Sequence, residues 1–121
     1  MEILDNKVTS LGCEFLGKLL TPKMGTSLSV LKLDHNPFGS QGLNHLAKGI
    51  RMNKELVVLS LTYCNIDSKG ARSLFEILIY TQSKLEEVLL GGNHLKDEGT
   101  QMVLRGTSIA KSLKRISLAD N

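Results

Sequence analysis

Apolar positions along this chain follow two alternating rhythms. In Leu31-Lys32-Leu33 and Leu59-Ser60-Leu61 every second residue is apolar, which buries one side of a short strand and exposes the other. Further on, Gly42, Leu43, Leu46 and Ile50, and then Gly70, Ala71, Leu74 and Leu78, recur every three to four residues, the spacing of a single stripe along a helix. The order predicted is strand, turn, helix, turn. Between strand and helix lie Asn36-Pro37-Phe38-Gly39-Ser40 and Asn65-Ile66-Asp67-Ser68. Ser40 and Ser68 fall at the expected helix starts and are predicted as caps, each hydroxyl accepting a bond from an unpaired backbone N–H.

The rhythm itself repeats. Leu28, Leu31, Leu33, Asn36 and Phe38 are matched by Leu56, Leu59, Leu61, Cys64 and Ile66, and again by Leu85, Val88, Leu90, Asn93 and Leu95; the step is 28 residues and then 29. The string continues as Leu113, Ile116, Leu118 and Asn121, and is foreshadowed by Met1, Ile3, Asn6 and Val8. A fixed period of this length is the mark of a solenoid, in which no unit buries its apolar side alone and neighbours share one core. The expected division is one domain over residues 1–121, with a partial unit 1–27, repeats 28–55, 56–84 and 85–112, and a partial unit 113–121.

The pattern L-x-x-L-x-L-x-x-N/C-x-L, followed four residues later by Gly42, Gly70 or Gly99 and a full helix, resembles the leucine-rich repeat of the ribonuclease-inhibitor-like subclass. The resemblance covers the whole chain and implies an α/β horseshoe, parallel sheet on the concave side and helices on the convex side. Spacing physics agrees: strands lie about 4.8 Å apart whereas helices need roughly 8–10 Å, so the helical side fans out. Right-handed crossovers fix the hand of the coil. In that subclass similar repeats build ribonuclease inhibitors, activators of the Ran GTPase, the sensing ends of nucleotide-binding immune receptors, and cytoskeletal and flagellar scaffolds. The consensus residues build the frame, and function rests with the residues between them.

Two sets of candidate residues follow. Asn6, Asn36, Cys64, Asn93 and Asn121 occupy one phase of the repeat, where an amide can satisfy backbone groups of its own and the adjacent turn, a structural ladder. Cys64 is expected to be buried, unreactive and a weaker rung. The residues alternating with buried leucines must face the inside of the arc: Val30, Lys32 and Asp34; Val58, Ser60 and Thr62; Glu87, Leu89 and Gly91; Arg115, Ser117 and Ala119. His35, Tyr63 and Gly92 follow at the strand ends. Val30, Lys32, Asp34, His35, Val58, Ser60, Tyr63, Glu87, Leu89 and Arg115 are the candidate partner-binding set, a shallow apolar track with flanking charges. Gly91-Gly92 reads as small size on the inner surface.

Composition narrows the function classes. The 121 residues are 41% apolar and 22% charged, enough for one ordered domain without low-complexity tracts. Cys13 and Cys64 sit at different phases of different units, so a disulfide between them is not expected, and reduced thiols suit an intracellular, cytoplasmic or cytoskeletal setting. No secretory signal is present, and no apolar run reaches the roughly 18 residues that span a bilayer, so no membrane is expected. The net charge is +3, but basic residues are dispersed among acidic ones and aromatics make up 4% with no tryptophan, which argues against nucleic acid. His35, His45 and His94 lack the close Cys, Asp or Glu spacing of a metal site, and there is no phosphate loop or nucleophile elbow. No catalytic residue, metal or cofactor is expected.

The expected function is therefore a non-catalytic scaffold or interaction module that binds a partner protein on the concave sheet face. The alternative is a regulator of an enzyme, GTPase-activator-like or nuclease-inhibitor-like. The string runs to both chain ends without polar capping units, so end-to-end contacts with another chain, or with the rest of a longer array, are expected as well.

Overall fold

The computed structural model describes residues 1–2, 7–21, 28–51, 53–80 and 82–121. Its elements are α1 (Ser10–Leu19), β1 (Val30–Lys32), α2 (Gly39–Ile50), β2 (Val58–Ser60), a 3-10 turn (Ser68–Gly70) leading into α3 (Ala71–Leu78), β3 (Glu87–Leu89), α4 (Lys96–Ile109) and β4 (Arg115–Ser117). The strands form one parallel sheet in chain order, β1-β2-β3-β4. Its register puts Val30, Val58, Glu87 and Arg115 in one row, Leu31, Leu59, Val88 and Ile116 in the next, and Lys32, Ser60, Leu89 and Ser117 in a third. Each strand is thus one repeat ahead of its neighbour, the parallel stacking that the period implied.

Leu31, Leu33, Leu59, Leu61, Val88 and Leu90 are all buried in a single core with Leu43, Leu46, Leu74 and Val103 from the helices. Burying a side chain of this size contributes about 1.5–3 kcal/mol, and each is covered partly by the next unit. Pairing continues past the labelled strands: the N–H groups of Leu33, Leu61 and Leu90 donate to the carbonyls of Ser60, Leu89 and Ser117 at 2.9, 2.8 and 2.9 Å. At the other edge, Glu2 bridges Lys32, so Met1 and Glu2 form the rung before β1. Ile3 and Asn6, expected in that rung and its turn, lie outside the described residues.

The helices carry the apolar stripes predicted for them, with Gly42, Leu43, Leu46 and Ile50 buried on α2 and Ala71, Leu74 and Leu78 on α3. They pack in sequence, α1 on α2, α2 on α3 and α3 on α4. At the α1–α2 crossing a Cβ on Gly49 would overlap the Gly17 backbone. Backbone cannot move aside as a side chain can, so this closest approach requires glycine.

The helix starts differ from expectation. Neither serine is a cap: Phe38 occupies the N-cap of α2 without a side-chain bond, and Asp67 caps the 3-10 turn by accepting from the Lys69 N–H. Asp67 has the extended backbone of an N-cap, φ −100° and ψ −171°, whereas Ser68 is already the first residue of the 3-10 turn. Ser40 instead ties two units together, donating to Asp67 Oδ1 at 2.6 Å and accepting from the Asp67 N–H at 3.1 Å. That hydrogen bond, ahead of the turn's own N–H groups, holds the Asp67 carboxyl below the usual carboxylate range.

The ladder residues sit where the chain leaves each strand. Asn93 bridges two units, with Oδ1 accepting from the N–H groups of Cys64 and Ile66 at 3.0 and 3.1 Å and Nδ2 donating to the carbonyls of Leu61 and Leu90 at 2.8 and 2.9 Å. Asn36 donates to the carbonyls of Leu33 and Asp34 and accepts from the Val8 N–H at 3.3 Å. Asn121 donates to Leu90, Leu118 and Ala119 and accepts from the Leu95 N–H. At Cys64 the thiol donates to the Leu33 and Thr62 carbonyls at 3.2 and 3.4 Å. Sulfur is a poor acceptor, and the Phe38 N–H of the preceding unit turns back to its own Asn36 carbonyl at 2.8 Å. Cys13 and Cys64 are both free and buried, and burial pushes each thiol up to about 12.

Candidate partner-binding face

Strand alternation turns Val30, Lys32, Val58, Ser60, Glu87, Leu89, Arg115 and Ser117 away from the leucine core, onto one surface. Val30, Val58 and Leu89 are half-buried there and form the apolar track across adjacent rungs. The charged members are paired between neighbouring strands: Lys32 with Glu2 at 3.5 Å and Arg115 with Glu87 at 3.9 Å. Exposed pairs of this kind add roughly 0–1 kcal/mol, so they leave the face close to neutral without locking it.

Two members of the candidate set serve the frame. Ser60 is 1% exposed, and its hydroxyl donates to Asp34 Oδ1 at 2.7 Å. The same oxygen accepts from the Thr62 N–H at 2.7 Å. Ser60 therefore cannot meet a partner, and Asp34 is a tie between successive units. Sequence alternation placed both on the correct side but could not show that they satisfy each other.

What the sequence did not show is the backbone of the rim. His35, Tyr63, Gly92 and Asp120 stand at equivalent strand ends and share a left-handed backbone, with φ of 61, 54, 71 and 58°. The N–H groups of the first three continue the sheet pairing up to this turn: His35 donates to the Thr62 carbonyl, Tyr63 to Gly91 and Gly92 to Ala119, each at 2.9 Å. Positive φ at the non-glycine residues carries a steric cost. The sequence signal was present in the alignment of His35 and Asp120, types tolerant of this conformation, with a glycine.

This geometry brings two rings together. His35 and Tyr63 stack with centroids 4.8 Å apart and planes 7° from parallel. The other side of the Tyr63 ring lies over Gly92, where a Cβ would collide with the ring. Gly92 is thus required by the ring, its φ being shared with His35, Tyr63 and Asp120, which replaces the expectation that it is merely small. Tyr63 remains 51% exposed, a rigid aromatic plate beside the track of Val58 and Leu89. Among the described residues no group of three or more His, Cys, Asp or Glu could hold a metal ion, and no helix is long and apolar enough to cross a membrane.

A parallel sheet advancing one strand per unit, backed by helices and tied by an asparagine ladder, defines a leucine-rich repeat arc. A family model described as Leucine Rich repeat matches residues 53–75. The chain is 33% identical over 97 residues to the Ribonuclease inhibitor of Mus musculus, covering 79% of this chain and 21% of that protein. It is 30% identical over 120 residues to NACHT, LRR and PYD domains-containing protein 14 of Mus musculus, covering 98% of this chain and 12% of that one. The chain therefore carries leucine-rich repeats of the ribonuclease-inhibitor-like kind, and spans about a fifth or less of these relatives' length. Among solved structures it matches one described as Leiomodin-1 Actin-Binding Site 2, with TM-score 0.83 at 16% identity over 98% of this chain and 68% of that. It also matches a tropomodulin C-terminal domain of Caenorhabditis elegans, with TM-score 0.76 at 20% identity over 88% of this chain and 63% of that. At those identities the likeness is one of fold.

Proposed function

We propose that this chain is a non-catalytic interaction module that holds a partner protein on its inner sheet face. The observation that carries the reading is Tyr63, half-exposed yet fixed between His35 and Gly92. A pre-positioned aromatic beside a half-buried apolar track gives large contact area at little entropic cost, the character of an interface hot spot. Val30, Lys32, His35, Val58, Glu87, Leu89 and Arg115 complete the face, and neither nucleic acid nor membrane is a partner. Two free buried thiols support an intracellular setting, cytoplasmic or cytoskeletal. The greater length of the relatives supports the reading that such units belong to a longer array.

The test is cross-linking with mass spectrometry from native extract, comparing the wild type with the double change Tyr63→Ser and Leu89→Asp. Partner recovery is expected to fall at least about tenfold with the circular dichroism spectrum retained. Undiminished recovery of every partner refutes the inner face. Actin is the first purified protein to try, because the leiomodin structure is that of an actin-binding site. A second reading, regulation of an enzyme, is favoured by the 33% identity to a ribonuclease inhibitor. Ribonuclease and GTPase assays with added chain separate it from passive binding: an unchanged rate excludes it.

A further inference from the structure

Val58, Leu89 and Tyr63 stand on the open side of the sheet where β2 meets β3, the first two half-buried and the third exposed. Their spacing follows from the register. Leu89 pairs with Ser60, two residues beyond Val58, and Tyr63 is five beyond it, its N–H still bonded to the Gly91 carbonyl at 2.9 Å. At about 3.3 Å per residue in a parallel sheet, the anchors stand at roughly 0, 6.6 and 16.5 Å along the strand direction. An odd step faces the core in an unbroken strand, and the left-handed backbone of Tyr63, φ 54°, turns its ring outward instead.

That spacing discriminates between partner shapes. An extended segment presents alternate residues to one side, at about 7, 14 and 20 Å, and has none near 16.5 Å that faces the sheet. A helix presents residues i, i+4 and i+11 at about 6.0 and 16.5 Å from the first, all within about 40° around its axis. The surroundings agree in girth and charge. Thr62, Gly91, Ser117 and Ala119 line the same side with small groups, leaving room for a cylinder about 10 Å wide. The charged groups of the face are answered within it: Lys32 by Glu2 at 3.5 Å, Arg115 by Glu87 at 3.9 Å, and Asp34 by the Ser60 hydroxyl and the Thr62 N–H. An uncharged contacting stripe complements such a face better than a charged one.

We infer that the inner face seats a helical segment of a partner protein, laid along β2 and β3, whose uncharged apolar stripe meets Val58, Leu89 and Tyr63 with residues spaced four and then seven apart. The segment needs about three turns. This inference rests on the inner-face reading above and adds the shape and chemistry of what binds there.

Fluorescence anisotropy on the full chain tests it with three labelled peptides of about 18 residues built on Ala, Gln and Ser. The first is stapled as a helix on its far side and carries Leu at i, i+4 and i+11. Its stapled twin has the third Leu moved to i+9, on the opposite side of the helix, and the third peptide is unstapled with Leu at i, i+2 and i+4. The first is expected to bind at least about tenfold more tightly than either of the others. Leu89→Asp should weaken it by about tenfold or more, and Tyr63→Ser should erase its advantage over the twin, because the i+11 residue then has no anchor. Unchanged circular dichroism of both variants separates docking from folding. Equal affinity for the stapled pair, indifference to Leu89→Asp, or no binding of any peptide overturns the helix seat. Preference for the unstapled peptide, lost in Leu89→Asp, overturns the helix while leaving the inner face as the binding surface, and the cross-linking comparison above decides that surface separately. Self-association of the wild type that Leu89→Asp abolishes also overturns the proposal, because the occupant is then a second copy.

Discussion

Replacing Asn93 with alanine removes four hydrogen bonds at once. Its Oδ1 serves the N–H groups of Cys64 and Ile66, and its Nδ2 serves the carbonyls of Leu61 and Leu90. Leu90 keeps the Asn121 amide as a donor at 2.9 Å, so the main loss falls on two buried N–H groups. An unsatisfied buried donor costs about 1–3 kcal/mol, and water entering the vacated space recovers part of it. The net expectation is about 2–5 kcal/mol, against a total stability of roughly 6–18 kcal/mol for a chain of this length. With a urea slope of about 1–3 kcal/mol per molar, the midpoint drops by about 1–2 M. Circular dichroism and tyrosine fluorescence, followed together, measure it. The same reasoning ranks the rungs. Asn36→Ala removes the donor to the Leu33 and Asp34 carbonyls and the acceptor of the Val8 N–H and costs about 1–3 kcal/mol, and Cys64→Ala, losing only thiol bonds, about 1 kcal/mol. A midpoint for Asn93→Ala within about 0.3 M of wild type, or a Cys64→Ala loss equal to it, refutes the ladder as the source of stability.

The remaining predictions concern the rim and the thiols. Gly92→Ala is expected to cost about 1–3 kcal/mol through its positive φ and the displaced Tyr63 ring; Tyr63→Ala in the same chain should recover the ring's share, and strict additivity of the two changes in urea denaturation would rule out the contact. Both thiols have folded values of about 12 against an ordinary value of 9.0, so the unfolded chain loses its thiol protons first. Their contribution is complete below about pH 9 and is lost as pH rises toward 12, with a slope of at most about 1.4 kcal/mol per pH unit for each thiol. The Cys13→Ala, Cys64→Ala double variant should flatten that slope, and an unchanged slope would refute the assignment. Ellman's reagent should leave both thiols untouched in the native chain and label both in denaturant.

Legibility in the sequence divides along physical lines. Alternation and the 28- and 29-residue steps were enough to specify the strand order, the buried leucines, the ladder phase and the side of the sheet each residue faces. Those properties follow from local periods of two and 3.6 residues, and a repeated period leaves each unit only its neighbour to pack on. The cap assignments at Ser40 and Ser68 failed because side-chain partners are set in the folded turns: Ser40 bonds Asp67 of the next unit, and Asp67, not Ser68, takes the N-cap position and accepts from the Lys69 N–H. Ser60 was read as free because its acceptor, Asp34, sits in the preceding unit. The His35–Tyr63 stack and the Gly92 platform depend on left-handed φ values that alternation does not encode. The sequence by itself determined which residues repeat and which side they take. The tertiary structure decided which of the outward residues remain available, because hydrogen bonds and ring contacts between units 28 residues apart are set by distances that exist only after the stack has formed.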